Sequence, residues 1–450
     1  MKVHLIAIGG SAMHNLALAL HHKGFEVSGS DDAIFEPSKS RLDAYGLLPK
    51  KMGWFADKIH DGLDAIILGM HARIDNPELI RAQELNIPIY SYPEYIFNQS
   101  MDKKRVVIGG SHGKTSITSM VLHVLHHFKI NCDYMVGAKL DGFDTMVKLT
   151  SDAPIIILEG DEYLSSPIDR RPKFHWYKPH IAILSGIAWD HINVFPTFEN
   201  YIDQFRIFKN DVKDVLFYCN DDKVLSNLCE EDSICRLESY STPKHSIENG
   251  ITYLIDGKDK FRLEIFGEHN LQNLNAAMLV CQELGINKSD FYTAISSFKG
   301  ASKRLELVKR GDNAVVYKDF AHSPSKLKAT SSAMKSQYAD RTLVACMELH
   351  TFSSLNKDFL KEYLGAMDTP DIAIVYFSKA AIAHKKLEDL SVEQVHTAFG
   401  RKDLMVFTES NELQAYLKSL VWKDQNLLMM SSGNFDGIDF GALAEDLLVS

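Results

Sequence analysis

The chain has 450 residues, 45% of them hydrophobic, and a net charge of −10. That length exceeds what one hydrophobic core usually organises, so two or three domains of about 100–200 residues are expected, and the acidic balance argues against nucleic acid as a main partner. No apolar run approaches the roughly 18 residues of a membrane span, the amino terminus MKVHLIAIGG enters a strand and glycine turn directly, and Cys132, Cys219, Cys229, Cys235, Cys281 and Cys346 form no C-x-x-C pair, so no membrane partner, no signal peptide and reduced thiols in a cytoplasm are expected.

Short apolar runs alternate with helical patterns almost throughout, which predicts an α/β protein of parallel sheets with crossover helices. The first unit is a strand Val3–Ile8, the turn Gly9-Gly10-Ser11, a helix through about His22, and a strand Phe25–Ser28 ending at Gly29-Ser30-Asp31-Asp32. A dinucleotide-binding turn reads Gly-x-Gly-x-x-Gly, whereas Ala7-Ile-Gly9-Gly-Ser-Ala12 keeps only the middle glycine. Asp31 still sits about 20 residues on, where an acidic side chain can hydrogen-bond a ribose; a solvated turn residue is the other reading. Further strands are expected at Ala65–Leu68 and Pro88–Tyr90, with a first domain boundary near residue 100.

The next strand, Arg105–Ile108, runs into Gly110-Ser-His112-Gly113-Lys114-Thr115-Ser116 and then a helix over Thr115–Phe128 with Ile117, Met120, Val121, Val124 and Leu125 on one face. Strand, glycine turn and helix start in that order make a phosphate cradle, because backbone N–H groups and the helix dipole converge on an anion. Lys114 would reach the β- and γ-phosphates and the Thr115 hydroxyl would ligate Mg²⁺. The first glycine of the longer phosphate loop is replaced by Ile108, so a plain glycine turn feeding a helix remains the alternative for this stretch alone. His123, His126 and His127 on the helix read as surface or packing residues.

Downstream, Pro154–Leu158 ends in Glu159-Gly-Asp-Glu162, and Ile181–Leu184 leads to Asp190-His191. Strand carboxyl ends are where parallel α/β sheets bind ligands, so Glu159 is a candidate Mg²⁺ ligand and His191 a candidate for a second metal or the transferred phosphate. Taken singly, each residue reads more readily as structural, an acidic loop cap and a hydrogen-bonded histidine; jointly, with a phosphate loop upstream, the functional reading prevails. A second boundary falls near residue 300, followed by strands at Ala314–Tyr317, Thr342–Cys346, Ile372–Tyr376, Leu404–Phe407 and Leu427–Met430, a Rossmann-like series.

Gly110-x-His-Gly-Lys-Thr-Ser116, Glu159-x-Asp-Glu162, Asp190-His191, Gly267-Glu-His-Asn270-x-x-Asn273, Arg304 and Asp319-Phe-Ala-His322-x-Pro324 occur in the order and spacing of the Mur ligase family, which the chain resembles from its first strand to Gly437. The resemblance implies a Rossmann-like UDP-sugar domain (1–100), a central phosphate-loop ATPase domain with a parallel sheet (101–299) and a Rossmann-like acceptor domain (300–450). It implies an ATP- and Mg²⁺-dependent ligase of the cell wall: ATP phosphorylates the lactyl carboxylate of UDP-N-acetylmuramic acid, and an amine displaces phosphate to form an amide. Carried over, Gly110, His112, Gly113, Lys114, Thr115 and Ser116 bind ATP phosphates, and Thr115, Glu159 and His191 hold metal. Asn270 and Asn273 meet the adenine, while Arg304 and Asp319 touch phosphate and ribose. Gly9, Gly10, Ser11, Ser30 and Asp31 are the UDP-sugar candidates.

Within the family, the segment Tyr163–Phe174 and Met430-Ser-Ser-Gly433-Asn434-Phe435-Asp-Gly437 resemble the ligase of murein recycling, whose acceptor is the tripeptide L-alanyl-γ-D-glutamyl-meso-diaminopimelate, more than the L-alanine ligase. Glu348-Leu-His350 lacks the arginines that the alanine ligase carries there. The tripeptide is therefore the expected acceptor, L-alanine the alternative, and a nucleotide-binding regulator without ligation a third reading; Arg170, Arg171, Lys173 and His350 are the candidate acceptor contacts. Gly186, Lys318, Ser323 and His350 depart from the family pattern, and Arg206 stands where some relatives carry a modified lysine.

Overall fold

The computed structural model describes residues 1–140, 142–189, 194–301 and 304–448. Four sheets account for its strands. The first contains β1 (Lys2–Ile6), β2 (Glu26–Ser30), β3 (Ala65–Leu68) and β4 (Ile89–Ser91) in the order β2-β1-β3-β4, all parallel. Val3, Leu5 and Ile6 are fully buried, as are Leu16 and Leu20 of the helix Ser11–His22, as expected when helices cover a parallel sheet. β2 extends two residues beyond the expected Ser28 and pairs Ile6 with Ser30, which carries Ser30 and Asp31 to the glycine turn.

The second sheet has the order β11-β10-β9-β5-β8-β6-β7, from β5 (Lys104–Gly109), β6 (Asp133–Met135), β7 (Val147–Lys148), β8 (Ile155–Glu159), β9 (Ile181–Leu184), β10 (Val215–Cys219) and β11 (Arg236–Tyr240). Only the β6–β7 pair is antiparallel among its described pairs. β5 lies between β8 and β9, with Ile108 opposite Glu159 and Gly109 opposite Leu184. The loop after the central strand is thus flanked by the carboxyl ends of both neighbours.

A three-stranded antiparallel sheet, β12 (His245–Glu248), β13 (Ile251–Asp256) and β14 (Asp259–Leu263), follows. The expectation of alternating strands and helices passed over it, although its turns are written in the chain as Asn249-Gly250 and Asp256-Gly257. Asn249, Gly250 and Gly257 all take positive φ (53°, 71° and 60°), the conformation that such hairpin turns require. The last sheet has the order β15-β16-β20-β17-β18-β19, from β15 (Glu306–Arg310), β16 (Val315–Asp319), β17 (Thr342–Leu349), β18 (Ile372–Phe377), β19 (Met405–Phe407) and β20 (Gln425–Met430). β15 is an antiparallel edge on an otherwise parallel sheet, and buried apolar residues pack on both of its faces.

The chain forms two compact units. Met1–Ser241 with Leu274–Phe291 carry the first two sheets, and Thr242–Asn273 with Tyr292–Ser450 carry the other two.

Candidate active site

In the first unit, β5 ends at Gly109 and the helix Lys114–His127 begins four residues after Gly110. Gly110 takes φ +124°, and a side chain there would place Cβ 2.8 Å from the Ser185 backbone nitrogen; only glycine lets the loop lie against β9. Lys114 Nζ donates to Gly110 O at 2.6 Å and to Glu162 Oε2 at 2.7 Å. Burial works to lower the lysine pKa, but the charges of Glu162, Asp161 and Glu159 outweigh it, so the ammonium is held above its usual range. Tyr201 donates to Glu162 Oε1 at 3.1 Å, and its hydroxyl also pairs with Ser111 Oγ at 2.9 Å, so the loop is tied to the lysine's counter-ion from both sides.

The Thr115 hydroxyl donates to Glu159 Oε1 at 2.9 Å, while Gly137 N donates to Glu159 Oε2 at 2.7 Å. A hydroxyl and a carboxylate oxygen meeting beside a phosphate loop suit Mg²⁺, which takes few protein ligands and fills its remaining positions with water and phosphate oxygens. Among the described residues no group of three or more His, Cys, Asp or Glu side chains could hold a metal by itself. His191, expected at a second metal, lies outside the described residues, as does Asp190. Ser116 is buried in the first turn of the helix, and the His112 carbonyl accepts from the Ser185 hydroxyl.

At the amino-terminal sheet, Asp31 Oδ2 accepts from Gly9 N at 2.7 Å and Oδ1 from Asp32 N at 2.9 Å. Burial raises the Asp31 pKa, against the lowering effect of the Gly9 N–H. The carboxylate holds the first turn together, and a Cβ on Gly9 would lie 2.9 Å from it. Ser30 O accepts from Ala7 N and Ile8 N, and Ser30 Oγ accepts from Lys58 Nζ at 2.8 Å. Gly10 precedes the helix without a side-chain cap, and Ser11 opens it exposed. Ala7, at the position of the missing first glycine, takes φ +66°, a left-handed conformation that glycine adopts without strain.

The sequence pattern missed a cluster beside this turn. Arg41 Nη1 donates to Asn15 Oδ1 at 3.0 Å and lies 3.1 Å from His14 Nε2, its Nη2 donates to Asp144 O at 2.9 Å, and Met146 N donates to Asn15 Oδ1. Burial lowers the His14 pKa and Arg41 lowers it further, against a hydrogen bond to Gly10 O, so the ring is a neutral acceptor facing the guanidinium. These residues belong to segments far apart in sequence and match no motif.

The expected acceptor cluster is largely neutralised within its own segment. Arg171 forks onto Asp169 at 2.9 and 3.0 Å and stacks on Trp176 at 4.1 Å, and Lys173 pairs with Asp161. Arg170 and Arg171 are both exposed and Lys173 is partly buried. Of the departures from the family pattern, Lys318 pairs with Glu306 at 2.9 Å, and Arg206 pairs with Glu231 at 3.0 Å, a guanidinium rather than a modified amine.

In the second unit, Asn270 and Asn273 are buried at the start of the helix Glu268–Glu283, with Asn270 Nδ2 donating to Phe266 O at 2.9 Å. Asp319 accepts from Leu305 N at 2.6 Å and Ala321 N at 2.7 Å, and the Arg304 guanidinium lies over the Phe320 ring at 5.0 Å. The His322 carbonyl accepts from Tyr363 Oη at 2.6 Å. At the carboxyl end of β17, His350 Nδ1 lies 3.3 Å from buried Glu348, whose other oxygen accepts from the Ser431 hydroxyl and from Phe435 N at 2.9 Å. The sequence motifs around residues 348 and 433 are therefore one structural feature: β17 and β20 are adjacent, and a Cβ on Gly433 would sit 2.7 Å from the His350 ring.

Residues 2–99 match the model of the Mur ligase family catalytic domain and residues 108–281 that of the Mur ligase middle domain. A UDP-N-acetylmuramate–L-alanine ligase of Lactiplantibacillus plantarum is 31% identical over 360 residues, 78% of each chain. A UDP-N-acetylmuramate–L-alanyl-gamma-D-glutamyl-meso-2,6-diaminoheptandioate ligase of Escherichia coli is 25% identical over 454 residues, 97% of this chain and 96% of the relative. The crystal structure of a UDP-N-acetylmuramate–alanine ligase from Thermotoga maritima shares the fold at a TM-score of 0.71 and 21% identity, covering 97% of this chain and 96% of that one.

Proposed function

The chain belongs to the Mur ligase family, and from that premise we propose that it joins the lactyl carboxylate of UDP-N-acetylmuramic acid to the amine of an L-alanyl unit. Its membership makes it an ATP-dependent amide-bond-forming ligase of peptidoglycan synthesis. The observation that carries the proposal is the pairing of Lys114 with Glu162 and of Thr115 with Glu159 at one glycine loop. A carboxylate is inert to amines until one oxygen becomes a leaving group. Transfer of the γ-phosphoryl group to that oxygen releases ADP, and attack of the amine on the acyl carbon then expels phosphate.

Lys114 supplies a fixed positive charge to the phosphoryl group in flight, and Glu162 holds it in place, so little reorganisation is needed as charge develops. Mg²⁺ held by Thr115 and Glu159 would neutralise phosphate oxygens. In this reading residues 1–100 hold the UDP-sugar, 101–299 the ATP and 300–450 the acceptor. Among the described residues no helix is long and apolar enough to cross a membrane.

Free L-alanine is the acceptor that the more similar relatives favour, at 31% against 25% identity. The murein tripeptide, expected from the sequence, begins with the same L-alanyl amine and would form the same bond; the Tyr163–Phe174 segment favours it, although Arg171 and Lys173 are already engaged with Asp169 and Asp161. ADP release with UDP-N-acetylmuramic acid, ATP and Mg²⁺, measured with each acceptor, separates the two. ADP release that requires neither acceptor would refute the ligase reading of this site.

A further inference from the structure

A cavity of about 740 Å³ opens in the second unit at the amino ends of β16 and β17, the end of the sheet opposite to Asp319, Glu348 and Ser431. Arg262 of β14, Arg310 at the end of β15 and Arg341 immediately before β17 line it. One wall is aromatic: Phe266 meets Tyr317 and Tyr338 edge to face, with ring centroids 5.4 and 6.2 Å apart. Tyr317 and Tyr338 are buried, with their hydroxyls 3.2 Å apart, so when one donates to the other the second keeps a hydrogen to offer. Arg310 Nη2 donates to Tyr338 Oη at 3.4 Å, and Arg341 lies over the Tyr338 ring at 5.2 Å with one nitrogen 3.3 Å from Asn426 Oδ1.

The lining carries two acidic groups against these three cations: Glu264, 3.4 Å from Arg262, and Asp340. A guanidinium has five donors and no acceptor, so the bonds above leave most of the donors at this cavity for something else. Three guanidinium groups against two carboxylates leave the lining net positive on a chain of net charge −10, which attracts an anion. The volume is that of a small-molecule site, and planar guanidinium forks match the oxygens of phosphate and carboxylate.

We propose that this cavity binds a small oxyanion, phosphate- or carboxylate-bearing, that bridges Arg262 of the three-stranded sheet to Arg310 and Arg341 of the six-stranded sheet. The site is separate from the phosphate loop, and its ligand ties the two sheets of the second unit together.

Hydrogen exchange of the full-length protein, titrated separately with inorganic phosphate, citrate and ADP, tests it. The expected result is protection of peptides covering 249–266 and 336–341 by at least one of the three, whichever does so identifying the oxyanion class. In R262A/R310A, which alters two exposed side chains, the midpoint for that protection should rise about tenfold or more, from the loss of charge-assisted hydrogen bonds, while protection of 110–116 by ADP is retained. Protection confined to 110–116 for all three anions, or an unchanged midpoint at 336–341 in the double variant, overturns the proposal.

Discussion

Lys114 illustrates how one side chain is prepared for chemistry before any ligand arrives. Its ammonium is partly buried, yet Glu162 at 2.7 Å keeps it charged, and Tyr201, itself paired with Ser111, holds Glu162 in turn. Lys114→Ala should leave a folded protein whose turnover falls about a hundredfold or more, since removing one preorganised charge-stabilising group costs on the order of 3 kcal/mol; steady-state ADP release with circular dichroism as the folding control measures it. Ala7 poses the opposite case, a residue kept at φ +66° where glycine is unstrained. Ala7→Gly relieves a left-handed alanine worth about 1 kcal/mol, less the extra freedom of glycine in the unfolded chain. The urea midpoint should therefore hold or rise slightly; a clear fall would mean that the Ala7 methyl contributes more by packing than its backbone loses by strain.

At the scale of elements, strand register does what no single residue does. Ile108 pairs with Glu159 across β5 and β8, which sets the carboxylate beside Thr115 although the two are 44 residues apart. Glu159→Gln keeps the shape and one acceptor oxygen, for Gly137 N, while the amide can donate to a rotated Thr115 hydroxyl, and the charge is removed. Its Mg²⁺ requirement should rise several-fold, with little change in stability, because nucleotide oxygens still contribute to the ion. Mg²⁺ titrations of the variant that overlay those of the parent would leave Glu159 as a cap for Gly137 alone. Turn chemistry acts at the same scale: Asn249-Gly250 and Asp256-Gly257 fold β12–β14 back on themselves, a hairpin signal that the dominant strand–helix alternation obscured.

At the scale of the whole molecule, an acidic chain keeps several of its cations engaged in internal pairs. Asp161 is an example: burial pushes its carboxyl pKa up, but Lys173 and Lys114 hold it well below the ordinary 3.8. A depressed folded value means that the contribution to stability is complete above the unfolded value and is lost as pH falls towards the folded one. Asp161→Asn should thus cost about 1 kcal/mol at neutral pH, kept modest by solvent screening of a side chain 37% exposed. The cost should shrink below about pH 4, where the parent begins to lose the same contribution. Urea midpoints at pH 7 and pH 3 measure it, and an equal deficit at both values would mean that the carboxylate acts through shape rather than charge.

The sequence by itself determined the features whose cause is local. Apolar alternation placed β1, β3, β5, β8, β9 and β16–β20 but not the edge strand β15, and the glycines around Lys114 announced the phosphate loop because backbone conformation there depends on the residues present. Tertiary structure alone decided which charges meet. The Glu162–Tyr201 tie and the Arg41–His14–Asn15 cluster follow from strand order and loop packing. So does the joining of Glu348 to Ser431, since β20 lies between β16 and β17 although it is the last strand of the chain. Such pairings depend on how segments remote in sequence are brought together, and an ion pair or a cavity leaves no periodicity in the chain that forms it.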